Sequence, residues 1–95
     1  MNFSISNEAA EFYKNELNLT KGDQLRFYIR YGGFNSLQKG FSLGIMPDTP
    51  SKIGAAVEVD GITFFIEEDD LWYFDEHNFQ ITFNQQNEEL EFNYH

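Results

Sequence analysis

Cysteine is absent from this 95-residue chain, so the chain can neither form a disulfide bond nor bind a metal through its own thiolates. Long apolar runs are also missing, because none approaches the ~20 residues that a membrane-spanning helix needs. The N-terminus lacks the basic segment and apolar stretch of a signal peptide. These absences favour a cytoplasmic protein that does not associate with a membrane.

Lysine and arginine are missing from residues 53–95, which hold eleven acidic residues and a net charge of −11. All six basic residues lie in residues 1–52, where five acids leave a net charge of +1, and the whole chain carries −10 at pH 7. Because a nucleic-acid-binding protein needs a basic surface against phosphates, this distribution argues against that class. An acidic half more often serves solubility than a specific function, and a basic protein partner or a divalent cation is the functional alternative.

Catalytic motifs are not found either. The sequence has no Gly-x-Ser-x-Gly nucleophile motif, phosphate-binding loop or dinucleotide fingerprint. Two histidines and no cysteine leave few groups for acid–base or nucleophilic catalysis. The sequence therefore predicts a protein that is not an enzyme.

What the chain does contain is aromatic side chains, 18% of its residues, with eleven phenylalanines. Aromatic rings bury large areas, which suits a small core. The length predicts a single domain over residues 1–95. Alternation of apolar and polar residues predicts six or seven strands, in the segments 2–6, 24–31, 41–45, 55–59, 62–66, 79–83 and 90–94.

Turns and helices complete this prediction. Asp60-Gly61 is typical of a tight hairpin turn. Ser6 or Asn7 is expected to cap a helix whose apolar stripe is made by Ala9, Phe12, Tyr13 and Leu17. A short helix is expected to begin in the acidic segment 67–70 and to continue through 71–74. In the strand 24–31, one face is predicted to carry Leu25, Phe27, Ile29 and Tyr31, and the other Gln24, Arg26, Tyr28 and Arg30.

The most specific motif is the segment 30–41, in which the pair Gly32-Gly33 is followed by Phe34 between two predicted strands. With the order of elements, this loop resembles the HesB-like (IscA-like) family of A-type iron–sulfur carriers across essentially the whole chain. The resemblance implies a mainly β fold, α+β by content: a compact β-sandwich or partly open barrel of mixed strands, with one N-terminal helix and one short helix. It also implies an association with iron–sulfur cluster assembly and a homodimer.

The chain departs from this family at its ligands. The family normally has a cysteine after the glycine pair and a Cys-Gly-Cys unit near the C-terminus, whereas this chain has Phe34 and the ending 91–95 without cysteine. We therefore expect no cofactor bound by the chain's own residues, although glutathione or a partner protein can supply sulfur ligands. The leading interpretation is a non-enzymatic binding or interaction module.

Two alternative sites remain open. A small anionic ligand is one alternative, at a glycine loop made by Gly32, Gly33, Phe34, Asn35 and Ser36. Three cations would assist it, since arginine binds carboxylates and phosphates bidentately: Arg26, Arg30 and Lys39. The simpler explanation of the loop is a tight turn. The simpler explanation of the cations is that they pair with the acid-rich second half of the chain.

Iron or a divalent metal is the other alternative ligand, because hard cations prefer oxygen ligands and histidine can add nitrogen. The candidate ligands are Glu67, Asp70, Asp75 and His77. Their spacing matches no calcium-loop or zinc motif, and a solvated acidic face is the usual explanation of such a cluster. Beside them, Trp72, Tyr73 and Phe74 cannot all face the core of a short helix. Trp72 is therefore a candidate anchor for a protein partner, unless the three rings close one end of the fold.

Overall fold

The structure, a computed structural model, describes residues 1–32 and 37–95. In these residues the elements follow the order expected from the sequence. They are β1 (Phe3–Ile5), α1 (Asn7–Glu16), β2 (Gln24–Tyr31), β3 (Phe41–Pro47), β4 (Ile53–Val59), β5 (Ile62–Glu67), a 3-10 helix (Glu68–Phe74), β6 (Phe79–Asn84) and β7 (Glu89–Tyr94).

The described strands form two sheets. The small sheet has the order β1-β6-β7 and the large sheet the order β3-β2-β5-β4. Both sheets are mixed, because β1 pairs with β6 and β2 pairs with β5 in parallel, while the other pairs are antiparallel. The predicted fold class, mainly β with mixed strands and two helices, is confirmed, and the two sheets are separate rather than joined in one closed barrel.

Helix α1 begins at the predicted cap. The Ser6 side chain accepts a hydrogen bond from the Ala9 N–H at 3.1 Å, which satisfies one of the free donors of the first turn. Ala9 and Tyr13 are buried as predicted, but Leu17 is 43% exposed. The prediction for Leu17 was wrong because the helix ends there: Leu17 is its C-cap and its side chain lies past the buried stripe.

The core lies between the two sheets and is rich in aromatic rings. The Phe27 ring of the large sheet meets Phe3 at 5.8 Å and Phe79 at 6.1 Å, both in edge-to-face geometry. Phe64 and Ile81 are fully buried beside them. Such edge-to-face contacts add to the free energy gained from burial, so a short chain obtains a stable core from few positions.

The residues predicted to share one face of β2 differ in their burial. Leu25 and Phe27 are buried, but Tyr31 is 89% exposed. β2 pairs with β5 only from Gln24 to Arg26, whereas it pairs with β3 from Leu25 to Tyr31. The end of β2 therefore projects beyond the core, and Tyr31 cannot be buried there.

The hairpin turn and the second helix also follow the sequence. Asp60 and Gly61 both have positive φ, 53° and 79°, as the predicted tight turn between β4 and β5 requires. The short helix is present, but as a 3-10 helix. Among the described residues, no helix is long and apolar enough to span a bilayer.

Candidate functional site

The face of β2 opposite the core carries Arg26, whose guanidinium holds two acidic residues. Its Nη2 donates to the Asp70 carboxylate at 2.8 Å and its Nη1 to the Asp48 carboxylate at 3.4 Å. The pKa of Arg26 is raised above its ordinary value, chiefly by the hydrogen bond to Asp70. We call these three residues the Arg26 clasp. It joins β2 to the 3-10 helix and to the segment after β3.

A second polar contact fixes the same region. The Glu67 carboxylate at the end of β5 accepts hydrogen bonds from the backbone N–H groups of Ser51 and Lys52, at 2.7 and 2.8 Å. These two bonds lower the pKa of Glu67, because they stabilise its charged form. The segment between β3 and β4 is thus held over the outer face of the large sheet.

An apolar side chain lies beneath these contacts. Phe65 is in register with Arg26 on one side and with Ala56 on the other, so it points to the outer face of the sheet. It is nevertheless fully buried, although it does not belong to the cluster between the sheets. The clasp and the segment bound to Glu67 therefore enclose a small second apolar layer.

Of the three cations of the predicted anion site, Arg26 is held by acidic residues in this arrangement. Arg26 pairs with Asp70, as the alternative of charge pairing with the second half predicted, and also with Asp48. Arg30 lies four residues further along β2, roughly 13 Å at the usual rise per residue, and is exposed. Lys39 is exposed in the turn before β3. The structure thus joins Arg26 to acidic residues rather than to the other two cations.

The glycine loop is described only at its two ends. Gly32 has a positive φ of 85°, and its N–H donates to the Gly40 carbonyl at 2.8 Å, which closes the base of the loop. The Leu37 N–H donates to the Tyr73 hydroxyl and the Gln38 side-chain amide to the Tyr73 carbonyl. The predictions made for Gly33, Phe34, Asn35 and Ser36 lie outside the described residues.

The 3-10 helix has one face that packs against the rest of the protein and another that is exposed. With three residues per turn, side chains at i and i+3 lie above one another. Asp70 and Tyr73 therefore share one face, which points inward: Asp70 bonds Arg26 and Tyr73 is fully buried. Asp69 and Trp72 share another face, which is exposed, and Trp72 is 52% exposed.

Trp72 belongs to a row of rings at the end of β2 and β3. The Phe41 ring lies 5.4 Å from Trp72 and 5.2 Å from Tyr31, with which Phe41 is paired across the strands. We call Tyr31, Phe41 and Trp72 the aromatic surface. The sequence predicted Trp72 as a candidate anchor but not Tyr31, which alternation placed on the same face of β2 as Leu25 and Phe27. The available signal was its position as the last strand residue before the glycine pair.

The candidate metal ligands are not assembled into a site. Within residues 1–32 and 37–95, no group of three or more histidine and acidic side chains is placed to hold a metal ion. Glu67 accepts two backbone hydrogen bonds and Asp70 binds Arg26. The His77 Nδ1 lies 2.9 Å from the Phe74 carbonyl oxygen, and Asp75 is exposed.

The residues of this chain also do not fit an iron–sulfur cluster. Such clusters are held mainly by cysteine thiolates, and the sequence has none. At the C-terminal end, residues 89–94 form β7, and the Tyr94 ring stacks on Phe79 at 5.3 Å as part of the packed fold. A cluster on this protein would need sulfur ligands from another molecule.

Comparison with known proteins gives consistent results. The family described as iron–sulphur cluster biosynthesis matches residues 1–95. The chain is 51% identical over 94 residues to the Bacillus subtilis (strain 168) protein named pyruvate dehydrogenase inhibitor, with 99% of both chains covered. It is 39% identical over 95 residues to an uncharacterized protein of Staphylococcus saprophyticus, with 97% of both chains covered.

A solved structure supports the fold. The crystal structure of Escherichia coli SufA, described as involved in biosynthesis of iron–sulfur clusters, matches with a TM-score of 0.60 and 16% identity. The match covers 99% of this chain and 86% of SufA, and at this identity it concerns the fold alone. The resemblance inferred from the glycine loop is confirmed: this chain belongs to the iron–sulphur cluster biosynthesis family, as a divergent member without the cysteine ligands.

Proposed function

We propose that this protein is a non-enzymatic, cytoplasmic protein-binding module that inhibits pyruvate dehydrogenase by docking to it. The observation that carries this proposal is the 51% identity, over 99% of both chains, to the Bacillus subtilis protein of that name. The described residues include sixteen buried ones, about one third of the number of identical positions. Burial in the described core therefore accounts for at most about one third of the shared positions.

The geometry supports docking rather than chemistry. The best-defined charged group, Arg26, is bonded to two carboxylates and fixes the fold. The aromatic surface, in contrast, leaves two large rings exposed, and exposed tryptophan and tyrosine are the side chains that contribute most to protein interfaces. Inhibition through such a surface needs neither a nucleophile nor a cofactor.

The test is a titration of purified pyruvate dehydrogenase from the same organism with the wild-type protein. We expect the steady-state rate to fall and then to saturate as the protein is added, because a folded module binds at a limited number of sites. An unrelated acidic protein of similar size and charge is the control for non-specific electrostatic effects. An unchanged rate at a large molar excess of the wild-type protein would reject this function.

The family match favours a second candidate function, a role in iron–sulfur cluster assembly through contacts with other proteins. The chain would then hold a cluster only with thiolates from glutathione or a partner protein. Elemental analysis and native mass spectrometry of protein purified anaerobically test this candidate. It requires stoichiometric iron and sulfide together with the second thiol-bearing molecule, and protein isolated free of iron would count against it.

A further inference from the structure

We propose that the aromatic surface is the docking surface, with Trp72 as its anchor, and that it enters an apolar pocket rimmed by lysine or arginine on the inhibited enzyme. This inference rests on the proposed function and names the surface that performs it. Three features of the structure lead to it: the exposure of Trp72, the rigid mounting of its helix and the charges beside it.

The fold does not need the exposed part of Trp72. Its neighbours Tyr73 and Phe74 are buried and close this end of the core, whereas about half of the Trp72 side chain faces solvent. Edge-to-face contacts with Phe41 at 5.4 Å and with Tyr73 at 6.2 Å hold the indole. A large ring that is already oriented loses little conformational entropy on binding, which is the property of an anchor.

The helix that carries Trp72 is fixed on both sides. Asp70 binds Arg26 on β2, and Tyr73 receives hydrogen bonds from Leu37 and Gln38 in the loop. Phe41 and Tyr31 belong to a paired stretch of β2 and β3, so they are held by a strand ladder. The aromatic surface is therefore presented by packed elements at every point.

The charges beside Trp72 specify a basic partner. Asp69 lies one helical turn before Trp72, about 6 Å along the axis, and Asp75 caps the helix after it. Both are exposed, and among the described residues neither forms an ion pair. No lysine or arginine occurs in residues 53–95, and Lys39 is the one cation in the turn that leads to Phe41.

The same charges favour a different protein over other occupants. Nucleic acids and anionic membranes would be repelled by the carboxylates on both sides of Trp72. A second copy of this chain would place its own acidic half near Asp69 and Asp75, and residues 53–95 offer no lysine or arginine to balance these charges. An apolar pocket with lysine or arginine at its rim satisfies both the indole and the carboxylates.

The experiment compares variants in the pyruvate dehydrogenase titration. We expect Trp72→Ala to raise the half-inhibitory concentration at least tenfold, since anchors of this kind dominate binding. Leu17→Ala is the matched control and should leave it unchanged. Leu17 is a similarly exposed apolar residue, and it lines a cavity with Gln24 and Leu25 at the opposite end of β2.

A second pair of variants tests the charges. Asp69→Asn with Asp75→Asn should raise the half-inhibitory concentration three- to tenfold at low salt and weaken its dependence on salt. Asparagine tolerates the left-handed backbone of Asp75, so this change keeps the helix end. Glu89→Gln with Glu91→Gln removes the same charge from exposed positions of β7 and should have little effect.

The possible results distinguish a wrong docking surface from a wrong proposed function. If the wild-type protein inhibits and a folded Trp72→Ala variant, checked by thermal unfolding, inhibits equally well, the docking surface is wrong while the proposed function stands. If the wild-type protein does not inhibit, the function fails and the docking inference fails with it. Sedimentation of the wild type as a dimer that Trp72→Ala dissociates would assign the surface to a second copy and also overturn the inference.

Discussion

The two ends of β2 use charged and aromatic side chains in opposite ways. At its beginning, Arg26 binds two carboxylates above the fully buried ring of Phe65. At its end, Tyr31 is almost fully exposed and lies in a row with Trp72. The 3-10 helix supplies Asp70 to the first region and Trp72 to the second. One short acidic helix therefore stabilises the fold with one face and presents a surface with another.

The two regions should differ most in how much the free energy of unfolding falls when an aromatic ring is removed. Phe65→Ala should lower the free energy of unfolding by about 3–5 kcal/mol, because it leaves a cavity beneath the clasp. Trp72→Ala should lower it by less, about 1–2 kcal/mol, because only half of the indole is buried, against Phe41 and Tyr73. Denaturant unfolding of both variants measures this, and equal losses would show that Trp72 is a structural residue.

A smaller effect is expected from added volume where β4 meets the 3-10 helix. A Cβ atom at Gly54 would lie 2.8 Å from the Glu68 Cα, so Gly54→Ala should destabilise by about 1–3 kcal/mol because backbone must shift. Gly44→Ala is the control. Its Cβ would meet the outer end of the half-buried Tyr28 ring, which can rotate away. If thermal unfolding shows the two variants to be equally destabilised, the contact between β4 and the helix is looser than the structure indicates.

Two neighbouring acids sharpen the comparison further. Asp70→Asn should cost about 1–2 kcal/mol of unfolding free energy, because it removes the charged partner of Arg26. Asp69→Asn, one residue earlier on the exposed face, should cost less than about 0.5 kcal/mol. Chemical unfolding of the two variants decides the point. A stability loss at Asp69 that matched the loss at Asp70 would mean that both faces of the helix serve the fold.

The effect of pH provides the most delicate test. Two backbone N–H groups lower the pKa of Glu67 below its ordinary value of 4.5, so its charged form stabilises the folded state above that pH. This stabilisation is lost as the pH falls through the lowered pKa. Glu67→Gln should therefore melt below the wild type at pH 7, and the difference should shrink as the pH decreases below 4.5. A difference in melting temperature that did not change with pH would contradict this account.

Local sequence patterns were sufficient to predict the strands, helices and turns, but not the tertiary contacts between distant residues. Alternation along β2 correctly separated Arg26 from Leu25, and Asp60-Gly61 correctly predicted the hairpin. The pairs of the clasp could not be predicted, because Arg26 lies 22 residues from Asp48 and 44 from Asp70. Sequence spacing carries no information about which distant carboxylate reaches a given guanidinium.

For the candidate site too, the sequence predicted a local feature but not the tertiary arrangement. A run of three bulky residues on a short helix predicted that one of them would be exposed, and Trp72 was the residue named. The exposure of Tyr31 was not predicted, since alternation assigns a side chain to a face of the sheet but does not show where the core ends. The candidate metal ligands were close in sequence, yet Glu67 and Asp70 bind different parts of the fold.

The sequence by itself determined that this member of its family has no thiolate for a cluster, that its second half is acidic and that its fold is built mainly from strands. Composition and periodicity are local properties, and the chain carries them before it folds. The tertiary structure decided which carboxylate binds Arg26, how Phe65 becomes buried and which face of the 3-10 helix reaches solvent. These depend on which distant segments pack together, because burial and charge pairing are set by what lies across from a residue rather than beside it in the chain.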